Sequence, residues 1–574
     1  MVEVWIAQPW AIPTGLYLLA AALCLVQLGK HLPFAYNWES YTARDFMRFW
    51  DAPSGAIFTL TDGLMTDSGR SPLVAFPAWL GLTAGGVSLT ALRLPLALCS
   101  ALAVPLLWVT GRRMAGAGPA ALAAVLLALS PVYLLYARTA TVVGPSGGLA
   151  LATVLALLRV VEQPRAWRWL LLLQLVFVVD SYAYAPIRFL WPLGMVLLGW
   201  ELLLRRSERQ SRLRGLLVTA VVVPVAIVLL DGRPGWQPWT AVEAYYHGRG
   251  EQVLALSSHP SDYLTYLTLS PEEQAHVASG SSLEIARRLV AKNITDSLNL
   301  LLDRKTLPVV TDYWNPHGRL LPAALLPCFI LGLLVVGRGA RKRVEDRALL
   351  LLVSGLWLPL LLTTQVHVGR LFFVLPWLFL VVARGWFTLV RAGARLLSGW
   401  FSSEGGWRFA QGFDRRGALL WTATLVMIAL VGRSTWTDYR LAPRLSRPEQ
   451  ATALLREVGG EAARRHVDVA VVMDDPVGSE IEAINVAPYR LVLDAQYRFI
   501  DLTVDGRPAG LAPDGKVTLL YGGVLTRLEQ TAATSRDCEA IYLFPSSAER
   551  QFMMASAGAT ARCGHSLDGR TLPW

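Results

Sequence analysis

Long apolar runs alternate with shorter polar segments along the first 433 residues, and the pattern changes character after that point. The runs lie near 11–29, 89–110, 118–136, 142–160, 168–183, 187–204, 215–231, 321–337, 348–364, 371–390 and 417–433. A bilayer's hydrocarbon core takes roughly 20 apolar residues of helix, so the runs predict about eleven transmembrane helices. Polar stretches at 30–88 and 232–320 interrupt them. Within the second, Leu283, Ile285, Ala286, Leu289 and Val290 share the face of an expected amphipathic helix over 281–303, which would lie along the membrane or cover a site. The stretch 386–401 reads as an interfacial helix within 371–416. Beyond residue 433 a polar helical stretch, 447–465, joins strand-like runs at 467–473 (VDVAVVM), 490–494 (RLVLD), 516–522 (KVTLLYG) and 540–544 (AIYLF). The expected fold is a mainly α polytopic membrane protein, residues 1–433, followed by a small α/β domain, residues 434–574.

Composition agrees with a membrane protein: 54% of the 574 residues are hydrophobic and only 17% charged. A net charge of +11 would suit a nucleic-acid binder, but its distribution argues against one. Arg112 and Arg113, Arg165 and Arg168, Arg205 to Arg214, Arg338 to Arg347, and the arginines from Arg384 to Arg416 occupy alternate loops. The positive-inside rule makes that face cytoplasmic. The N-terminus is then expected inside, and 30–88, 232–320 and the C-terminal domain outside, in a cytoplasmic (inner) membrane. Glu3, rather than a basic region, precedes the first run, which therefore reads as a retained span. Cys24, Cys99 and Cys328 lie in apolar runs and read as packing residues. Cys538 and Cys563 lie in the polar C-terminal part and form a candidate disulfide if that part is extracytoplasmic; two free thiols are the alternative. No metal-ligand spacing stands out, and no cofactor is identified, which leaves a divalent metal open.

The candidate chemistry gathers on the outer side. Residues 36–73 carry Glu39, Asp45, Asp51, Asp62 and Asp67 among Arg44, Arg48 and Arg70, a setting for a general base and a phosphate clamp. Glu39, between Trp38 and Tyr41 in the segment after the first span, reads as a candidate base; a solvated carboxylate or an ion pair with Arg44 is the bland alternative. Asp62 and Asp67 flank a turn that either could simply cap. The short outer loops each keep one arginine, Arg138, Arg188 and Arg370, whose planar donors match phosphate oxygens. The alternative for each is snorkelling to lipid head groups or pairing with a loop acid. His367, beside Arg370, is a candidate hydrogen-bond donor or a helix cap.

Several stretches together resemble the polytopic class C glycosyltransferases, in particular the bacterial branch near the protein O-mannosyltransferases and lipid A aminoarabinose transferases. They are NWESY, GRSPLVAFPAWLGL, GGVSLTALRLPLAL, VTGRRMAG, ALSPVYLLYARTA, SYAYAPIRF, DYWNPHGRLLPAALLPCFILGLL and HVGRLFFVLPWLFLVVARG, all within residues 10–390. The resemblance implies a polyprenyl-phosphate sugar donor and a protein, lipid or glycan acceptor at the outer face. It implies Glu39 as base, Arg70, Arg138, Arg188 and Arg370 as phosphate contacts, and Tyr182, Tyr184 and His367 as sugar or phosphate hydrogen bonders. One position departs from the pattern: the family's Asp-Glu pair is here Trp38-Glu39, or Glu39-Ser40 in the other alignment. Glu39 is then the sole acid at that place, and the base role otherwise passes to Asp45 or Asp62. Two rival readings stay open. A transporter of lipid-linked substrates would need charges inside the spans and inverted repeats, whereas nearly every charge reads as lying at a span end. An inactive scaffold or assembly subunit would keep the fold and use its outer domain to bind a partner.

Overall fold

The computed structural model describes residues 10–28, 72–85, 89–141, 143–181, 183, 185–205, 208–230, 282–302, 320–361, 368–401 and 415–445, with strands at 469–473, 497–501, 517–521 and 540–544. Seventeen α-helices occur among them: α1 (Ala11–Leu25), α2 (Pro72–Gly85), α3 (Leu89–Ala101), α4 (Ala103–Ala115), α5 (Ala117–Ala128), α6 (Pro131–Ala137), α7 (Val143–Glu162), α8 (Trp167–Ser181), α9 (Leu190–Leu204), α10 (Arg209–Leu230), α11 (Ser282–Leu302), α12 (Leu326–Ala340), α13 (Val344–Gly355), α14 (Leu358–Leu361), α15 (Val368–Leu371), α16 (Leu375–Phe401) and α17 (Arg415–Leu445). Five helical stretches among the described residues are long and apolar enough to cross a membrane, or six if the bent pair α5 and α6 is one span. The chain is thus a multi-pass, mainly helical membrane protein. The expected eleven spans are met in part among the described residues, where several of the apolar runs form shorter helices. The run at 11–29, for example, yields the 15-residue α1.

The run read as one span at 118–136 is broken. Its two halves are bent by 63° at Ser130-Pro131. Pro131 has no N–H to continue the α5 ladder and suits a helix start. Ser130 caps the new helix, its hydroxyl oxygen accepting from the Tyr133 N–H at 3.4 Å. Conversely, the expected span at 371–390 and interfacial helix at 386–401 are continuous in α16. Part of the expected outer loop 30–88 is helical, as α2: an apolar segment too short to span and interrupted by Pro77. The amphipathic helix expected at 281–303 is α11; Asn293 Nδ2 donates to the Leu361 carbonyl of α14 at 3.2 Å, and Ile294 and Leu298 are exposed.

Close packing rests on small residues. A side chain added at Gly332 of α12 would strike the Val381 carbonyl, and one at Gly385 of α16 the Cys328 carbonyl, so the two backbones cross in contact. Gly116, at φ +90°, reverses the chain between α4 and α5, and its N–H bonds the Arg112 carbonyl at 3.1 Å.

One end of the helical unit is charged and internally paired. Arg113 Nη1 donates to Glu162 at 2.8 Å, Arg212 Nη1 to the Val161 carbonyl at 3.2 Å, and Arg343 Nη2 to the Met114 carbonyl at 3.5 Å. Arg347 Nε donates to Glu201 at 2.8 Å, and Arg384 pairs with Asp346. These contacts bring the basic loops after α4, α7, α9 and α12 together, as the charge pattern requires.

A second compact unit holds the sheet. Four parallel strands, β1 (Val469–Met473), β2 (Tyr497–Asp501), β3 (Val517–Tyr521) and β4 (Ala540–Phe544), lie in the order β2-β1-β3-β4. Val469 aligns with Tyr497 on one side and Val517 on the other, and Val517 with Ala540. Parallel neighbours need crossover connections, and the segments 474–496, 502–516 and 522–539 are long enough to supply them. β1, β3 and β4 fall inside expected strands; β2 does not, and the strand expected at 490–494 lies outside the described residues, as does the helical stretch 447–465.

Candidate active site at the end opposite the charge cluster

The far end of the helical unit is built around the break between α6 and α7. Arg138 ends α6, is 4% exposed, and donates through Nη2 to the Val26 carbonyl just beyond α1. That bond ties α6 to the point where the chain leaves α1 for the acidic segment. Thr139 Oγ1 turns back to the Tyr136 carbonyl at 3.0 Å and lies 3.5 Å from Thr141 Oγ1. All three residues after Ala137 that carry these groups are buried.

Aromatic packing joins this break to the segment after α15. Phe372 stacks on Tyr133 with centroids 5.8 Å apart and meets Tyr136 edge-on at 5.9 Å. Tyr133 in turn donates its hydroxyl to the Ser100 carbonyl at 2.8 Å. Gly369 lies against the Tyr136 ring, where an added Cβ would come within 2.9 Å of the hydroxyl oxygen. Gly144, in the first turn of α7, faces Ser100 and the Tyr136 carbonyl. Only hydrogen fits at either glycine without displacing a neighbour. The ends of α1, α6 and α7 and residues 368–373 therefore meet at one place.

Of the sequence-derived candidates, Arg138 lies at this meeting point and the backbone of Arg370 belongs to α15, beside it. Arg188 is buried on the 3-10 helix Ala185–Phe189 that links α8 to α9. Glu39, Asp45, Asp62, Arg70, Tyr182, Tyr184, His367, Cys538 and Cys563 lie outside the described residues. Cys24 and Cys328 are buried and Cys99 half-buried, as packing residues should be. Among the described residues no three His, Cys, Asp or Glu side chains gather as metal ligands would. A small cleft between α7, α9 and α13 is lined mostly by leucines with Thr153 as its polar member, and is too apolar to be the reaction site.

Two charges near span ends are buried in the helical unit. Arg93 of α3 is 1% exposed and Asp180, near the end of α8, is also 1% exposed. An acid buried near the end of a membrane helix is costly and rare unless it is paired. The one acid in the run 168–183 was a signal that averaging over an apolar window conceals.

This arrangement of short and broken helices around a buried end has counterparts of known fold. The chain has the fold of the polytopic class C glycosyltransferases. The structure of ArnT from Cupriavidus metallidurans bound to undecaprenyl phosphate aligns with a TM-score of 0.52 at 13% identity, covering 96% of each chain. Residues 69–230 match the family described as dolichyl-phosphate-mannose-protein mannosyltransferase. The apo oligosaccharyltransferase of Archaeoglobus fulgidus aligns with a TM-score of 0.49 at 14% identity over 84% of this chain; the present chain covers 64% of that protein's length. No curated protein matches the sequence.

Proposed function

We propose that the protein is a membrane glycosyltransferase that moves a sugar from a polyprenyl-phosphate donor to a protein, lipid or glycan acceptor at the extracytoplasmic face. The observation that supports this reading is the meeting of the ends of α1, α6 and α7 with residues 368–373, in which Arg138 bonds the Val26 carbonyl and Gly369 and Phe372 pack on Tyr136. The undecaprenyl phosphate bound by ArnT, which has the same fold, supports a donor of that chemical class.

The chemistry follows from charge. The bond between the anomeric carbon and the lipid phosphate breaks, a bond to the acceptor oxygen forms, and the acceptor proton passes to a carboxylate. The departing phosphate gains negative charge, which arginine donors held in a low-dielectric site stabilise more in the transition state than in the ground state. Glu39 is the assigned base, with Asp45 and Asp62 as the alternatives. Arg70, Arg138, Arg188 and Arg370 are the assigned phosphate contacts, and Tyr182, Tyr184 and His367 orient sugar or phosphate. The N-terminus is cytoplasmic in this reading, and the C-terminal α/β domain, with its Cys538–Cys563 disulfide, is extracytoplasmic.

Purified protein incubated with a panel of undecaprenyl-phosphate sugars should release undecaprenyl phosphate in the presence of envelope acceptors. Glu39→Gln should lower the rate by about 10²–10⁴-fold with the fold intact. Full activity in that variant would remove Glu39 as base, and no release with any donor would remove the transferase reading.

A further inference from the structure

Asp180 is a buried acid that the assigned chemistry leaves without a task. Its Oδ2 accepts from Thr153 Oγ1 of α7 at 2.9 Å, a hydroxyl shared with the Leu149 carbonyl at 3.0 Å. Its Oδ1 has no hydrogen-bond partner among the described residues. Its backbone carbonyl accepts from the Ala183 N–H at 3.1 Å, closing the last turn of α8.

The depth of this contact matters. Thr153 lies well inside α7, whose first residue is Val143, and at the helical rise that places it about 15 Å inward from the outer end of α7. The end of α8 is thus recessed, and the turn that carries Arg188 starts from within the helical layer. A second strut holds the same turn from the other side. Gln174 Nε2 of α8 donates to Thr219 Oγ1 of α10 at 2.9 Å, and Trp191 Nε1 of α9 donates to the Thr219 carbonyl at 3.1 Å. Both feet of the turn are therefore fixed by side-chain hydrogen bonds in surroundings where water does not compete. Arg188 sits between them, on a 3-10 turn that places Ile187 fully inside.

We propose that Asp180 and Thr153 are positioning residues that set the depth at which Arg188 meets the phosphate of an isoprenoid phosphate. The proposal rests on the assignment of Arg188 as a phosphate contact. The hydrogen bond between α7 and α8 stops α8 at a defined level, and that level fixes how far the guanidinium reaches from the turn. Asparagine at 180 keeps an oxygen acceptor for Thr153, and serine at 153 keeps the donor, so both should preserve the register. Alanine at 180 or valine at 153 removes it.

The test measures equilibrium binding of undecaprenyl phosphate and of undecaprenol to the full-length protein in nanodiscs, with thermal melting to confirm folding. The ratio of the two affinities isolates what the phosphate contributes, which a merely structural lesion would leave alone. Asp180→Ala and Thr153→Val should each reduce the ratio by about tenfold. Asp180→Asn and Thr153→Ser should keep it within about twofold, and the double variant Asp180→Ala with Thr153→Val should be no worse than either single change. Should Asp180→Ala fail to fold, the valine and serine variants at 153 decide the question. An unchanged ratio in Thr153→Val, beside a ratio lost in Arg188→Ala, overturns the positioning role and leaves the phosphate assignment standing. A ratio unchanged in Arg188→Ala overturns both.

Discussion

The pair Glu201–Arg347 offers a quantitative test of how the charged end is held. Glu201 of α9 and Arg347 of α13 are both almost completely buried, and two guanidinium nitrogens of Arg347 reach Glu201 Oε1, Nε at 2.8 Å. The third, Nη1, donates to the Ala340 carbonyl of α12 at 3.0 Å, so Arg347 joins three helices. Arg205 approaches the other carboxylate oxygen at 2.8 Å from a site 40% exposed. Removing one member of a buried pair strands the other and typically costs 3–5 kcal/mol, whereas replacing both by apolar groups of like shape is often neutral or stabilising. For Arg347→Met the half-exposed Arg205 still faces Glu201, which puts the loss near the lower bound, about 3 kcal/mol. Arg205 can turn to water when its acid is gone, so the double variant Glu201→Leu with Arg347→Met should recover most of that loss. The assay is the apparent melting temperature of detergent-purified protein at one heating rate, since large membrane proteins unfold irreversibly. The single variant should melt several degrees below the parent and the double variant close to it. A double variant as unstable as the single would refute the reasoning, because desolvated charge would then not be the source of the loss.

Other expectations follow from the packing. Gly385→Leu places side-chain atoms in the Cys328 carbonyl, and overpacking of this kind costs about 1–3 kcal/mol or more; size-exclusion profiles should show little monodisperse protein, while Gly393→Ala, with open space around it, should be neutral. Ser130→Ala removes the cap of α6 and should cost about 1 kcal/mol, read as a lower melting temperature. Tyr133→Phe loses the bond to the Ser100 carbonyl but keeps the ring on Phe372, and should cost about 1 kcal/mol, whereas Phe372→Ala should cost about 3–5 kcal/mol by the same measurement.

Much of the helical layout could be read from the chain because hydropathy and charge are local properties. The alternation of arginine clusters anticipated that Arg113, Arg212, Arg343 and Arg384 would share one end, and α11 begins and ends within one residue of its expected limits. The bend at Ser130-Pro131 was written in the dipeptide, yet a window wide enough to detect a span averages over it. Asp180 vanished into an apolar run for the same reason. Its partner Thr153 lies on another helix, and no local pattern announces such a pair. The aromatic contact that brings Tyr136 to Phe372 joins residues far apart in the chain and needs the fold to appear. Of the candidate site, the sequence pointed to Arg138 and the Arg370 segment; the acids assigned to catalysis lie outside the described residues.

The distribution of helix breaks carries a further physical argument about where chemistry belongs. Among the described residues at the charged end, helices run into tight turns at Gly116, at 163–166 and at 341–343. At the opposite end they break early. α6 is bent away from α5, α8 stops beside the middle of α7, a 3-10 turn precedes α9, and α13 gives way to the four-residue helices α14 and α15. Irregular backbone at membrane depth leaves carbonyl and amide groups that lipid cannot satisfy, and it persists only where protein buries it or where it lines a wet cavity. Four such departures lie at one end among the described residues, so the backbone groups they free must be buried in protein or face a wet cavity, a cost that the described turns at Gly116, 163–166 and 341–343 avoid. Under the proposed transferase reading that cost has a use, because a reaction between an anionic lipid and a hydroxyl requires a polar chamber within reach of the acyl chains.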